Sequence, residues 1–258
     1  MAYGNSEKTN RREGGDGSVI VGRNPVAELL RGGREIEKIY VLRGEREGSI
    51  TKLVAVARER GIIVDETDKR RLDELSGGAA HQGIAAIAAQ IEYSTVEDIL
   101  NIAAEKGEKP LIVICDGIED PHNLGAIMRC ADGAGAHGII IGKRRCAPIS
   151  QTVIKASAGA SEHIAVAKVQ NISSAIESLK QSGVWVFAAE ADGTDYRTAD
   201  FDRPCAIVLG SEGDGVSRLV REKCDFTVSL PMRGGVNSLN VSTAAAVLLY
   251  EAASKQGK

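Results

Sequence analysis

The stretch Leu111-Ile112-Val113-Ile114-Cys115-Asp116-Gly117-Ile118-Glu119-Asp120-Pro121-His122-Asn123-Leu124-Gly125 decides the fold. Five apolar residues run without a polar break, as in a strand covered on both faces. A polar loop follows at once, and Ala126-Ile127-Met128-Arg129 continues as a helix. The alternation then carries on. Apolar runs recur at Gly138–Ile141, Ile164–Ala167, Val184–Ala188, Ala206–Leu209 and Phe226–Leu230, with helical segments between most of them. A long helix closes the chain around Ser242–Ala253. The pattern predicts an α/β fold with a mostly parallel sheet and helices on both sides. Ligands in such sheets bind beyond the carboxyl ends of the strands, so the segments after each strand are where a site is sought.

Upstream, residues 18 to about 90 read as helix, strand, helix, strand, helix, strand. Asn24 is expected to cap a helix with Pro25 at its first position. Ile36–Leu42 is strand-like, Thr51–Arg60 helical, and Gly61 stops that helix before Ile62-Ile63-Val64. Asp68–Leu75 makes a short helix and Gly83–Ala89 a last apolar strand. This is a small α/β unit. Residues 92–110 form a junction whose amphipathic helix can cap either unit. The division expected is a disordered tail at 1–17, a small domain at 18–92 and a larger one at 93–258.

The 258 residues are 43% hydrophobic but only 3% aromatic, so Ala, Val, Ile and Leu must build the core. No apolar run is long enough for a membrane helix. The N-terminal stretch has no apolar segment of a signal peptide, which points to the cytoplasm. The five cysteines are odd in number and none is spaced as C-x-x-C, so reduced thiols are expected and no metal site. Net charge is −3, against a simple nucleic-acid-binding module. Residues 1–92 carry 15 Lys+Arg against 15 Asp+Glu. RNA contacts would have to come from local clusters such as Lys143-Arg144-Arg145 or Lys69-Arg70-Arg71, each of which also reads as a solvated surface.

Three strand ends carry the chemistry. In the first, Asn123 stands where a helix cap would, and Arg129 lies about two turns further on; a cap and a surface arginine would look the same. The second is Gly210-Ser211-Glu212-Gly213-Asp214-Gly215, where glycines let backbone approach a ligand. Neither the dinucleotide fingerprint nor the P-loop is present. The third runs from Leu230-Pro231 to Asn237-Ser238-Leu239-Asn240-Val241-Ser242 before the last helix, and also reads as helix capping.

Together, in order and spacing, these three segments resemble the three motifs of the SpoU (TrmH) family of RNA ribose methyltransferases in the SPOUT superfamily. Asn123-Leu124-Gly125 with Arg129 is similar to motif one, Gly210-Ser211-Glu212-Gly213 to motif two, and Leu230-Pro231 with Asn237 to Ser242 to motif three. The N-terminal part, from Gly22-Arg23-Asn24-Pro25-Val26 to His81-Gln82-Gly83, resembles the family's small ribosomal-protein-like substrate-binding domain. The likeness covers roughly 18–254 and is nearest the bacterial RlmB-type subgroup.

The resemblance implies a C-terminal SPOUT domain with a deep trefoil knot and a homodimer with each site near the partner subunit. It implies S-adenosyl-L-methionine as cofactor, held by Gly210, Leu230 and Leu239. It places Asn123, Arg129, Glu212, Ser238 and Asn240 around a ribose 2′-hydroxyl, with a guanosine of 23S-type large-subunit ribosomal RNA as the expected target. The family describes the arginine as a general base. Keeping an arginine neutral near pH 7 would cost roughly 7–8 kcal/mol. Arg129 is better read as a clamp on phosphate and developing oxyanion, oriented by Asn123 and Glu212. Alternatives are the same chemistry on transfer RNA, a non-catalytic RNA-binding assembly factor, and a nucleotide-dependent oxidoreductase. The intact motifs argue against the factor, and the missing fingerprint against the oxidoreductase.

Overall fold

The computed structural model describes residues 18–44 and 48–258; the expected tail at 1–17 lies outside them. The first unit is a four-stranded sheet in the order β1-β4-β2-β3. Its elements are β1 (Ser18–Val21), α1 (Arg23–Arg31), β2 (Ile36–Leu42), α2 (Gly48–Glu59), β3 (Ile63–Thr67), α3 (Lys69–Ser76) and β4 (Ile84–Ala88). β1 was not among the expected elements. It has four residues, and its antiparallel partner β4 lies far along the chain, with Ser18 opposite Ala88. Asn24 does not cap α1. The helix starts at Arg23, and Gly22 precedes it at φ 101°, a turn that suits glycine. The Gly22 N–H bonds Ile84 O at 3.2 Å, so the end of the β1–β4 ladder sets where the helix begins.

Helix α4 (Val96–Glu105) opens with a capping box between Thr95 and Asp98. It settles the junction: Ile99 packs into the core of the second sheet, against Ile112, Ile114 and Ile140. That sheet runs β10-β8-β9-β5-β6-β7, with every pairing parallel. It is built from β5 (Leu111–Cys115), α5 (Pro121–Gly133), β6 (Gly138–Gly142), α6 (Gln151–Ala156), β7 (Ala165–Val169), α7 (Ile172–Gln181), β8 (Trp185–Asp195), β9 (Cys205–Leu209), α8 (Arg218–Arg221), β10 (Phe226–Ser229) and α9 (Val241–Lys255). Alternate residues of β5 feed opposite faces: Leu111, Val113 and Cys115 pack under α5 and α9, while Ile112 and Ile114 pack under α4 and α7. From β5 the order steps to β6 and β7 on one side and to β9 on the other. The carboxyl ends of β5 and β9 therefore lie side by side, Cys115 opposite Leu209. This is the switch point of an open α/β sheet.

The three phenylalanines and the one tryptophan gather at the β8–β10 edge. Trp185 stacks on Phe226 at 5.3 Å, Phe226 on Phe187 at 5.1 Å, and Phe187 meets Phe201 at 4.8 Å. The Arg203 guanidinium covers Trp185 at 4.4 Å.

The two sheets are joined by packed contacts. Ile154 of α6 lies in the core of the first unit. Arg34 meets Glu162 at 3.2 Å with both side chains almost fully covered, and burial pushes the Arg34 pKa down and that of Glu162 up. His163 Nε2 stands 3.0 Å from Glu28 Oε2.

His137 gives a stability prediction. It is buried, its Nδ1 accepts from the Leu111 N–H at 3.0 Å, and its Nε2 faces Glu108 at 3.2 Å. Burial, and then the Lys258 ammonium, lower its pKa. A base lowered in the folded state adds stability above the unfolded value of ~6.5 and loses it as pH falls through that value. Urea midpoints should be higher at pH 7.5 than at pH 5.5, and the difference should shrink in His137→Gln. An unchanged difference in the variant would clear His137 of this role.

Candidate functional site

The switch point brings the first two polar segments together. The Asp116 N–H bonds Leu209 O at 2.9 Å, and the Asp116 carboxylate accepts from the Ser217 N–H at 2.7 Å. The 116–120 loop is thereby tied to the 210–217 loop. The third segment leaves β10, which lies beside β8, and returns through residues 231–240 to α9.

Asn123 is not the cap of α5. Asp120 caps it, its carboxylate accepting from the His122 N–H at 2.9 Å, and Pro121 takes the first helical position. Asn123 is therefore free for another task. It is 9% exposed, and its amide donates to Glu212 Oε1 at 3.0 Å. The Asn240 amide donates to Asn123 Oδ1 at 3.0 Å and to Glu212 Oε1 at 2.5 Å. One residue from each segment thus meets in a closed polar triangle. Asn240 also caps α9, its Oδ1 accepting from the Ser242 N–H at 2.9 Å. The cap reading of that residue holds, and its amide is at the same time a corner of the triangle. Glu212 Oε2 has no partner among the described residues.

Beside the triangle lies a cleft of about 390 Å³, bordered by Gly210, Glu212, Leu230, Ser238 and Leu239. This is within the ~300–1,000 Å³ of ordinary small-molecule sites. Its floor is backbone: a Cβ on Gly210 would collide with the Gly215 carbonyl carbon and the Val216 nitrogen. Leu230 and Leu239 give apolar walls. A ligand with an apolar body and hydrogen-bonding edges suits backbone amides flanked by leucines. Ser238 borders the cleft but not the triangle; it is exposed and, among the described residues, bonds only Asn237 Oδ1, at 3.4 Å.

Arg129 stands apart. On α5 it lies about 9 Å along the axis and 240° around from Asn123, so Asn123 and Glu212 do not orient it within one chain. It is exposed and makes no hydrogen bond or ion pair among the described residues.

Two neighbours were not foreseen. Glu190 follows β8's apolar start, borders the cleft and accepts from the Val216 N–H, holding the 210–216 loop. The end of the Val184–Ala188 run was its signal. Arg145 borders a second cavity and has φ 55°; nothing in the sequence marks that conformation. Among the described residues no group of three or more His, Cys, Asp or Glu could hold a metal ion. No described helix is long and apolar enough to cross a membrane.

Comparison with known proteins follows the same division. The SpoU rRNA methylase family matches residues 110–250, and the RNA 2′-O ribose methyltransferase substrate-binding family matches residues 19–94. A Bacillus subtilis protein provisionally assigned to the TrmH family of tRNA/rRNA methyltransferases is 44% identical, over 90% of this chain and 93% of its own. A crystal structure of an RNA 2′-O ribose methyltransferase superposes with TM-score 0.77 at 26% identity, covering 94% of this chain and 90% of that one. An AdoMet-bound rRNA methyltransferase from Sinorhizobium meliloti gives TM-score 0.73 at 26% identity, covering 92% and 87%.

Proposed function

The chain belongs to the SpoU rRNA methylase family, and from that premise we propose that it methylates a ribose 2′-hydroxyl of structured RNA, using S-adenosyl-L-methionine. The target we assign is a guanosine of 23S-type large-subunit ribosomal RNA. The carrying observation is the Asn123–Glu212–Asn240 triangle on the rim of a backbone-floored cleft. The substrate-binding match over residues 19–94 supports RNA as substrate. The AdoMet-bound neighbour and the fit of the cleft support the cofactor. This reading places the protein in the cytoplasm.

S-adenosylmethionine, when bound, supplies a methyl on a positively charged sulfur. Gly210, Leu230 and Leu239 form its cradle. Asn123 and Asn240 hold the Glu212 carboxylate still, so that Oε2 can accept from a ribose hydroxyl without reorganising. Ser238 borders the same cleft and can hydrogen-bond the ribose from its open side. Arg129 clamps the adjoining phosphate and the oxygen as charge builds.

Because Arg129 faces away from its own triangle, the proposal includes a homodimer that brings α5 of one subunit to the site of the other. The knot implied by the resemblance belongs to the same proposal. Sedimentation should show a dimer at micromolar concentration; a stable monomer would remove Arg129 from the site.

The deciding experiment maps 2′-O-methyl groups across total RNA with and without the protein. One lost mark in ribosomal RNA is expected. A mark lost from transfer RNA would change the substrate, and no loss anywhere would overturn the reaction.

A further inference from the structure

A second cavity, of about 270 Å³, lies against the cofactor cleft. The two share Ser211, Glu212, Asp214 and Val241, so little more than the 211–214 loop separates them. Asn123 and Glu212, two members of the polar triangle, line the second cavity. A ribose reacting at the triangle would have its base or its phosphate in this space.

Of the described residues, Arg145 is the one cation lining it. Among the described residues Arg145 makes no hydrogen bond or ion pair, although Glu119, Asp120 and Asp214 line the same cavity. Its backbone sits at φ 55°, a region that costs a non-glycine residue on the order of 1 kcal/mol or more. The turn carrying it is fastened in place: the Ala147 N–H donates to Ile118 O at 2.8 Å, across to the loop on the other wall. An arginine held in a costly conformation, with no partner of its own, beside a reaction centre points to a ligand that supplies the partner.

We propose that this cavity seats the nucleotide to be methylated, and that Arg145 binds a backbone phosphate next to it. The inference rests on the RNA methyltransferase reading above. The cavity lies just under the ~300–1,000 Å³ of drug-sized ligand sites, so it suits one nucleoside and the target must leave its stack to enter. Carboxylates along the wall repel a phosphate inside the cavity and accept from the N–H edge of a base. The phosphate is left at the mouth, where an arginine fork matches it.

The test uses the full-length protein and its RNA. Arg145→Gly removes the guanidinium while keeping the left-handed backbone at no steric cost. Its KM for RNA should rise about tenfold, and the slope of log affinity against log salt should fall by about one. Cofactor affinity should not change. Arg145→Lys keeps the charge without the fork and should fall between. Arg218→Ala, an exposed arginine that pairs with Glu222 and lines neither cavity, should change neither quantity. If Arg145→Gly leaves KM and salt slope untouched while the wild type methylates RNA, this assignment fails alone. An equal loss in Arg218→Ala would make the contact a diffuse surface effect and overturn it. Weakened cofactor binding in Arg145→Gly would place the residue in the cofactor cleft instead. A wild type that methylates no RNA would fail the underlying reading.

Discussion

Replacing Arg129 with Ala should lower methyl transfer by at least ~100-fold, the usual scale for losing one acid–base or oxyanion group. Stability should hold, because the side chain is exposed and without a partner among the described residues; such surface changes stay within about 0.5 kcal/mol. Cofactor affinity should also hold, since Gly210, Leu230 and Leu239 line the cleft and Arg129 does not. Arg129→Lys separates clamp from base. Lysine keeps the charge but not the planar fork. For a clamp, the Lys variant is slow and its rate shows no new ionisation. For a base, its rate climbs with pH toward ~10. Single-turnover rates against pH for the wild type and both variants decide between them. A fully active Arg129→Ala enzyme would remove the residue from the site.

Gly210→Ala should raise the dissociation constant for S-adenosylmethionine by roughly 10- to 100-fold. The added methyl would occupy the position of the Gly215 carbonyl carbon and the Val216 nitrogen. Those are backbone atoms, which yield only if the whole loop shifts, and overpacking of this kind costs about 1–3 kcal/mol. The Val216 N–H is also held by Glu190, which resists the shift. Gly33→Ala, which lies outside the cleft, is the matched control, because a Cβ there meets nothing within 4 Å. It should bind as the wild type does. Calorimetric titration of both variants reads the difference. Equal affinities would mean that the 210–216 loop is not the cofactor's floor.

Much of this architecture is legible in the sequence because local signals and tertiary structure agree. Leu111–Cys115 and Ile36–Leu42 are strands as their apolar patterns indicate. Disagreement comes where distant backbone decides. β1 is defined by pairing with β4, and the start of α1 by a turn at Gly22, neither of which composition reveals. The start of α5 was readable: Asp120-Pro121 is the stronger cap signal, and it frees Asn123 for Glu212. Glu190 and Arg145 are harder. One acts through Val216, and the other stands out only by its backbone angle. The triangle needed three segments to be read together, since each alone resembles an ordinary cap or turn.

The aromatic stack at the β8–β10 edge has an optical consequence. Trp185 is the only tryptophan, and residues 18–92 contain none, so indole fluorescence comes from the larger sheet alone. Phe226, at 5.3 Å, shields one face of the ring, and that contact is lost when β10 detaches. Far-ultraviolet circular dichroism, by contrast, sums over both sheets. Recording the two signals through one denaturant titration shows whether the units melt as one. With Ile154 buried in the smaller core and Arg34 tied to Glu162, the two curves should coincide.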